Sequence, residues 1–308
     1  MYTISLKKGT FMNFDAIVIG AGPAGLTSAI YLARANKKVL VLESKVVGGQ
    51  IVNASNVENY PGIKSISGSD FAMNLYEQAT NLGVEVKFER VIKVEEDKTV
   101  ITESNKYKAK AVIIATGLVN RTLGLEEDYI GKGVSYCATC DGNFYKGKTV
   151  AVVGGGNTAL DDALYLSNIC NKVYLIHRRD SFRGENKLKE ELETRKNLEF
   201  VLKSNIVKIY GNDILTSVDV KNSDGIVRNL RIDGLFVAVG KDPNNEVFEN
   251  VVDILPNGYF DNERAPYTKT KGIYIAGDCV NKEIRQLTTA VSDGTIAASI
   301  AIKEMKGD

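Results

Sequence analysis

Histidine is almost missing from this chain and cysteine is scarce: 308 residues hold one histidine, His177, and four cysteines. A structural zinc site built on Cys-x-x-Cys needs a second pair of cysteine or histidine ligands. Beyond Cys137 and Cys140 only Cys170, Cys279 and His177 remain, scattered and without ligand spacing, so no metal is expected. So few cysteines in so long a chain also do not make a secreted disulfide scaffold. Net charge is lacking as well. The 39 Lys and Arg against 38 Asp and Glu argue against nucleic acid or an anionic membrane as the main partner. No apolar run approaches the roughly 18 residues of a membrane span. Residues 1–11 contain Lys7 and Lys8 but no apolar signal-peptide core, and read as an extension, an upstream start or a tag. A cytoplasmic protein is expected.

A chain of this length suggests two domains of about 150 residues each. An apolar content of 44% is ordinary for a globular protein. Asp15 to Ile19 is a short β-branched run that reads as a buried parallel strand. It enters Gly20-Ala21-Gly22-Pro23-Ala24-Gly25, after which Leu26 to Ala35 reads as a helix. Strand, Gly-x-Gly-x-x-Gly and helix in that order form a dinucleotide fingerprint, whose glycines let the backbone approach a pyrophosphate at the helix N-terminus. Lys38 to Leu42 reads as the next strand. It ends at Glu43, 23 residues after Gly20, placed to accept hydrogen bonds from a ribose.

The same signal returns at Val150 to Val153, followed by Gly154-Gly155-Gly156-Asn157-Thr158-Ala159 and a helix to Leu166. Counting 23 residues from Gly154 reaches His177, where the first copy has Glu43. The acid is gone, and Arg178, Arg179 and Arg183 stand close by. Arginines pair with a 2′-phosphate through two parallel hydrogen bonds, which points to NADPH over NADH. The bland alternative is a solvated basic helix start.

Between the two fingerprints lies Ser135-Tyr136-Cys137-Ala138-Thr139-Cys140-Asp141-Gly142. Two cysteines at this spacing can close a small disulfide. One thiol held as a thiolate is a nucleophile near neutral pH, and the other resolves the mixed disulfide. Asp141, directly adjacent, can protonate a leaving thiolate. The pair reads as a redox-active disulfide. Further along, Ala111 to Gly117 and Gly272 to Asp278 are short strands ending in small-residue turns. Arg285-Gln286 then precedes a long small-residue helix from about Leu287, whose N-terminus could stabilise negative charge on a reduced flavin ring.

In this combination the sequence resembles the bacterial-type, low-molecular-weight thioredoxin reductases from Phe14 onward. The resemblance rests on Cys137-Ala138-Thr139-Cys140-Asp141, the Gly154 to Ala159 fingerprint, the His177 to Arg183 run, and Gly277-Asp278 with Arg285-Gln286. It implies an α/β fold of two Rossmann-like, three-layer nucleotide-binding domains, the second inserted into the first. The FAD domain would be 12–118 with 247–308, and the NADPH domain, carrying the disulfide, 119–246. FAD would be held by Gly20, Gly22, Pro23, Ala24, Glu43, Gly49, Gln50, Asn59, Gly117, Gly277, Asp278, Arg285, Gln286 and Leu287. NADPH would be held by Gly154, Gly156, Asn157, Thr158, His177, Arg178, Arg179 and Arg183.

The resemblance further implies a homodimer that passes electrons from NADPH to FAD, to the Cys137–Cys140 disulfide and to thioredoxin. Domain rotation would separate the half-reactions, with hinges near 118–124 and 240–245. Cys140 would be the flavin-side sulfur and Asp141 the proton donor. The related glutathione-reductase type uses a C-terminal histidine as acid–base, and this chain has none there. A dithiol oxidase or a ferredoxin-fed relative would be expected to lose the second fingerprint, and a redox-sensing module would not need both sites.

Overall fold

The computed structural model describes residues 12–54 and 56–306; the extension 1–11 lies outside them. The chain opens with β1 (Met12–Ile19), α1 (Pro23–Arg34) and β2 (Val39–Glu43), then α2 (Gly68–Asn81), β3 (Glu85–Phe88), β4 (Val91–Val94), β5 (Thr99–Thr102) and β6 (Lys106–Ile114). β1 pairs in parallel with β2 on one side and β6 on the other. The apolar runs in these strands follow from burial on both faces. Alternate residues of β1 serve two cores. Ala16 and Val18 pack with Leu26, Ala297 and Ala298, whereas Ile17 and Ile19 pack with Phe248, Val251 and Phe260. Each fully buried aliphatic side chain of this kind contributes about 1.5–3 kcal/mol.

The chain then crosses β7 (Val119–Asn120), β8 (Val134–Ser135), the short helix α3 (Ala138–Asp141), β9 (Thr149–Gly154), α4 (Asn157–Ser167), β10 (Lys172–Ile176), α5 (Asn186–Glu193) and β11 (Leu198–Val201). An antiparallel meander follows, β12 (Ser204–Gly211), β13 (Leu215–Asn222) and β14 (Val227–Arg231), before β15 (Gly234–Ala238) and β16 (Lys241–Asp242). The second parallel sheet has the order β11-β10-β9-β15-β8. Arg121 braces the exit of this stretch: its N–H donates to the Gly240 carbonyl at 3.0 Å, and its guanidinium pairs with the Asp242 carboxylate.

The return leg supplies β17 (Ile273–Ile275) and α6 (Leu287–Glu304). β17 pairs in parallel with the C-terminal half of β6, beside the half that β5 holds. α6 lies on α1 at backbone distance. A Cβ placed on Gly294 would sit 2.2 Å from the Ala24 carbonyl oxygen. Ser28, at the same crossing, donates to Ala24 O at 2.9 Å or to Gly294 O at 3.0 Å. The small residues of both helices are the reason the contact forms.

The chain divides into two compact units: one runs to Val52, then Ser69–Val119 and from Pro243 onward, and the other is Asn53–Gly68 with Asn120–Asp242. The second unit is thus largely an insertion in the first, and the fold is α/β with two Rossmann-like sheets. Segment 53–68, expected with the first domain, groups with the second unit. It is a loop tied on itself by the Val57–Ile66 bridge, and a Cβ on Gly131 would lie 3.5 Å from Asn53 O.

Candidate active site

Cys137 and Cys140 form a disulfide, with their Cα atoms 5.3 Å apart. Cys137 caps α3 in an extended conformation, and both cysteines are half-buried. The Thr139 hydroxyl lies 3.5 Å from Cys137 Sγ. Below the pair, Asp141 is only 8% exposed. The Ser135 hydroxyl lies 2.6 Å from Asp141 Oδ2, while Oδ1 is buried with no hydrogen-bond partner among the described residues. Burial holds the Asp141 carboxyl above the usual carboxylate range, and the Ser135 hydrogen bond offsets part of that rise. A carboxyl that keeps its proton closer to neutral pH is suited to general acid work.

The approach to Cys137 is anchored by a second carboxylate. Glu126 is fully buried. Its Oε1 accepts from the Leu123 N–H at 2.7 Å and the Tyr136 hydroxyl at 2.9 Å, and its Oε2 accepts from the Leu125 N–H at 3.0 Å. Three donors compensate the loss of water around the buried carboxyl. Tyr136 is thereby fixed one residue before the disulfide.

In the first unit, β1 runs into Gly20, where φ is +104° and a Cβ would lie 2.4 Å from Ala115 O. Only glycine fits that approach. Gly22 caps α1 without any side-chain hydrogen bond, and Pro23 occupies the first helical position, where its missing N–H costs nothing. Among the described residues, a Cβ on Gly22 would come no closer than 4.0 Å, to Gly48 O, and one on Gly117 would meet nothing within 4 Å. An uncapped helix N-terminus led by glycine suits a pyrophosphate. Glu43 reaches back: its Oε2 accepts from Ala21 N–H at 2.8 Å, and its Oε1 accepts from Ser44 and Lys45 N–H at 2.8 Å each. Each oxygen can accept more than one hydrogen bond. Gly49 and Gln50 open the turn after β2, and the Gln50 amide donates to Leu118 O.

On the return leg, Gly277 packs over Ala24. Asp278 faces Lys282, whose Nζ lies 3.4 Å from Asp278 Oδ1 and 2.7 Å from Asp293 Oδ2. Arg285 stacks 4.5 Å over the Tyr259 ring, and Gln286 caps α6 in a reciprocal arrangement with Thr289, one residue before Leu287. These expected FAD residues all belong to the first unit. Asn59 belongs to the second.

In the second unit, a Cβ on Gly154 would lie 2.3 Å from Ala238 O, whereas the space before Gly156 is open. Gly156 caps α4 with no side-chain hydrogen bond, and no acid occupies the first turn. Thr158, Arg178, Arg179 and Arg183 are exposed. The structure sets His177 apart from the arginines. It is 6% exposed, lies directly under Gly155, and stacks on Phe182 at 5.2 Å. Burial pushes its pKa down, opposed by a backbone hydrogen bond at Ser181 and helped by the neighbouring arginines. Arg183 N–H donates to Gly155 O at 2.8 Å, fastening the arginine-bearing loop to the glycine turn.

Both glycine cradles therefore fit nucleotide phosphates, and one unit carries a cradle, an arginine loop and a disulfide backed by a buried acid. The match to known proteins agrees. Residues 14–294 match the pyridine nucleotide-disulphide oxidoreductase family, and the chain belongs to that family. Within it the chain stands among the thioredoxin reductases. It is 41% identical to the thioredoxin reductase of Mycoplasma genitalium over 292 residues, 92% of this chain and 93% of that one. The thioredoxin reductase structure from Streptococcus pyogenes superposes with a TM-score of 0.92 at 38% identity, covering 97% of this chain and all of the other. A ferredoxin-flavin thioredoxin reductase from Clostridium acetobutylicum is similar at 30% identity and a TM-score of 0.53, over 97% and 100% of the two chains.

Proposed function

We propose that this chain is an NADPH-dependent thioredoxin-disulfide reductase that uses FAD. The observation that carries the reading is the Cys137–Cys140 disulfide followed directly by the buried Asp141, whose carboxyl burial pushes above its ordinary value, in the same unit as an intact, arginine-flanked phosphate cradle. FAD, when bound, accepts a hydride from NADPH and passes the electron pair to the disulfide. Gly20, Gly22 and the α1 N-terminus hold its pyrophosphate, with Glu43 and Asp278 orienting the sugar parts. Gly156 and the α4 N-terminus hold the NADPH pyrophosphate, and Arg178, Arg179 and Arg183 take its 2′-phosphate.

Of the reduced pair, Cys140 is the flavin-side sulfur. One thiolate attacks the disulfide of thioredoxin, the old S–S bond breaks, and Asp141 protonates the leaving sulfur. The second thiol then resolves the mixed disulfide. Reaching both the flavin and thioredoxin requires the two units to turn about residues near 118–124 and 240–245, a gating step of the kind that commonly limits turnover. The working form is a cytoplasmic homodimer. No helix among the described residues is long and apolar enough to cross a membrane.

A ferredoxin-fed relative has no use for a 2′-phosphate site, so the exposed arginines favour NADPH as donor. The test is an anaerobic titration with NADPH and then NADH, following the visible flavin absorbance. Stoichiometric bleaching by NADPH, with far more NADH required, is expected. A bound flavin that stays oxidised in NADPH would refute the donor.

A further inference from the structure

Ser135 opens the redox stretch with no role of its own so far, yet its hydroxyl joins the two parts of the site. The residue is 6% exposed at the end of β8. Its Oγ accepts the Cys137 N–H at 3.1 Å, lies 2.6 Å from Asp141 Oδ2, and lies 3.3 Å from the Cys137 carbonyl oxygen. A serine hydroxyl has one hydrogen to give. The shorter contact is to Asp141, so that hydrogen points at Oδ2. Asp141 Oδ1 is left buried without a partner among the described residues.

We infer that Ser135 is a positioning residue of the thiol–disulfide reaction: it occupies Oδ2 of Asp141, leaves Oδ1 as the oxygen that carries the transferred proton, and ties that carboxyl to the backbone of Cys137. The inference rests on the reading of Asp141 as proton donor. When a thiolate of the pair attacks a partner's disulfide, the new S–S bond forms and the old one breaks. The leaving sulfur takes the electron pair, and the proton comes from Oδ1. The carboxylate that remains is stabilised by the Ser135 O–H. It then takes the proton of the second thiol, whose thiolate displaces the partner's other sulfur; that sulfur is protonated from Oδ1 in turn. Two protons and two electrons leave with the reduced partner, and the Cys137–Cys140 disulfide is restored.

Among the described residues, the polar side chain that acts on the Asp141 carboxyl is Ser135. The titratable groups nearby are the cysteines themselves, Tyr145 on the following turn, Tyr165 on α4 against Gly142, and Asp233 beyond Tyr145. Burial pushes the Tyr145 phenol up to about 12, so it stays neutral through the working range. Neither lysine nor arginine acts on the Asp141 carboxyl, whose shift comes from burial and Ser135.

The test uses the full-length FAD-loaded enzyme, reduced beforehand, reacting with oxidised thioredoxin across pH 5–9 in a stopped-flow instrument. The variants are Ser135→Ala, Ser135→Thr, Asp141→Asn and the Ser135→Ala/Asp141→Asn double. A charge-assisted hydrogen bond to a carboxylate corresponds to about one to two pH units. Ser135→Ala is therefore expected to move the Asp141 limb of the profile upward by about that amount. Ser135→Thr, which keeps the hydroxyl, restores it. In the Asp141→Asn background, Ser135→Ala has no further effect on the profile. A Ser135→Ala profile unmoved, while Asp141→Asn abolishes the limb, overturns the role of Ser135 and leaves Asp141 standing. A limb that survives Asp141→Asn overturns the reading of Asp141, and the inference with it.

Discussion

The side chain of Asn157 is taken up by Glu185. Its Oδ1 accepts the Glu185 N–H at 2.9 Å, and its Nδ2 donates to the Glu185 carboxylate at 3.1 Å. The first residue of α4 therefore helps close the loop that carries Arg178, Arg179 and Arg183, which the Arg183 N–H on Gly155 O and the Lys203 N–H on Arg179 O also tether. Asn157→Ala is expected to loosen the arginines and raise the KM for NADPH severalfold while kcat falls less. Steady-state kinetics with both nucleotides check this, because a loop serving only stability would change the two nucleotides alike.

Replacing Arg178 and Arg179 themselves goes further. With the 2′-phosphate seated on them as proposed, two charge-assisted hydrogen bonds are lost and the KM for NADPH should rise about tenfold or more. The KM for NADH, which has no 2′-phosphate, should change little. Equal losses with both nucleotides would show that the arginines serve the fold or the pyrophosphate instead.

With Asp141 as the proposed proton donor, Asp141→Asn removes the proton of the leaving sulfur. General acid catalysis contributes about 10²- to 10⁴-fold, and a loss in that range is expected in the reaction of the reduced enzyme with thioredoxin. Flavin bleaching by NADPH, followed separately under anaerobic conditions, should keep its wild-type rate. Equal slowing of both half-reactions would remove Asp141 from its role.

Asp162, half-buried on α4, gives a pH signature in stability. Burial raises its pKa to about 7, with nearby Asp161 adding to the rise and Lys241 opposing it. A raised carboxyl pKa means that the folded state holds a proton the unfolded chain has released. Its contribution is present in full below the unfolded value of 3.8, declines as pH rises, and is lost by about pH 7. Asp162→Asn should therefore melt like wild type near pH 4 and be more stable above pH 7, by a few kcal/mol at the order-of-magnitude level. Thermal melts at several pH values decide it; an advantage that shrinks toward high pH would contradict the sign.

Gly294→Ala should be severe despite its small size. The added Cβ meets the Ala24 carbonyl at 2.2 Å, a backbone atom that cannot rotate away. Overpacking of this kind costs about 1–3 kcal/mol. Because Ala24 lies in the first turn of α1, the variant should also release FAD more readily, measurable as free flavin after gel filtration.

The glycine turns and the Cys-x-x-Cys pair were legible because each is local: strand, turn and helix follow one another within a few residues. Ser135, Glu126 and Glu185 were not. The partners that matter to the site, Asp141, Tyr136 and Asn157, lie 6, 10 and 28 residues away, and no periodicity brings them together. Only the fold of the loops does. Strand β14 escaped notice for a related reason. Its single buried apolar residue, Leu230, sits among charged and polar neighbours and makes no alternating pattern. The helical turn α3 is too short to show a helical period. The counting that aligned His177 with Glu43 leads to the residue just past β10, but not to a ring tucked under the glycine turn there. Segment 53–68 carries turn residues without an apolar face, so nothing in it announces the unit with which it packs.

The close crossing of α1 and α6 sets an order of events during synthesis. The inserted unit has all of its long stretch once Asp242 leaves the ribosome, while the first unit still lacks β17 and α6. Its opening helix must wait with a small-residue face uncovered for several seconds at ordinary elongation rates. A chain halted anywhere in that interval presents a thiol-bearing unit whose whole sequence is made, attached to one still lacking its last helix, so exposure to aggregation ends at one identifiable moment, the arrival of α6.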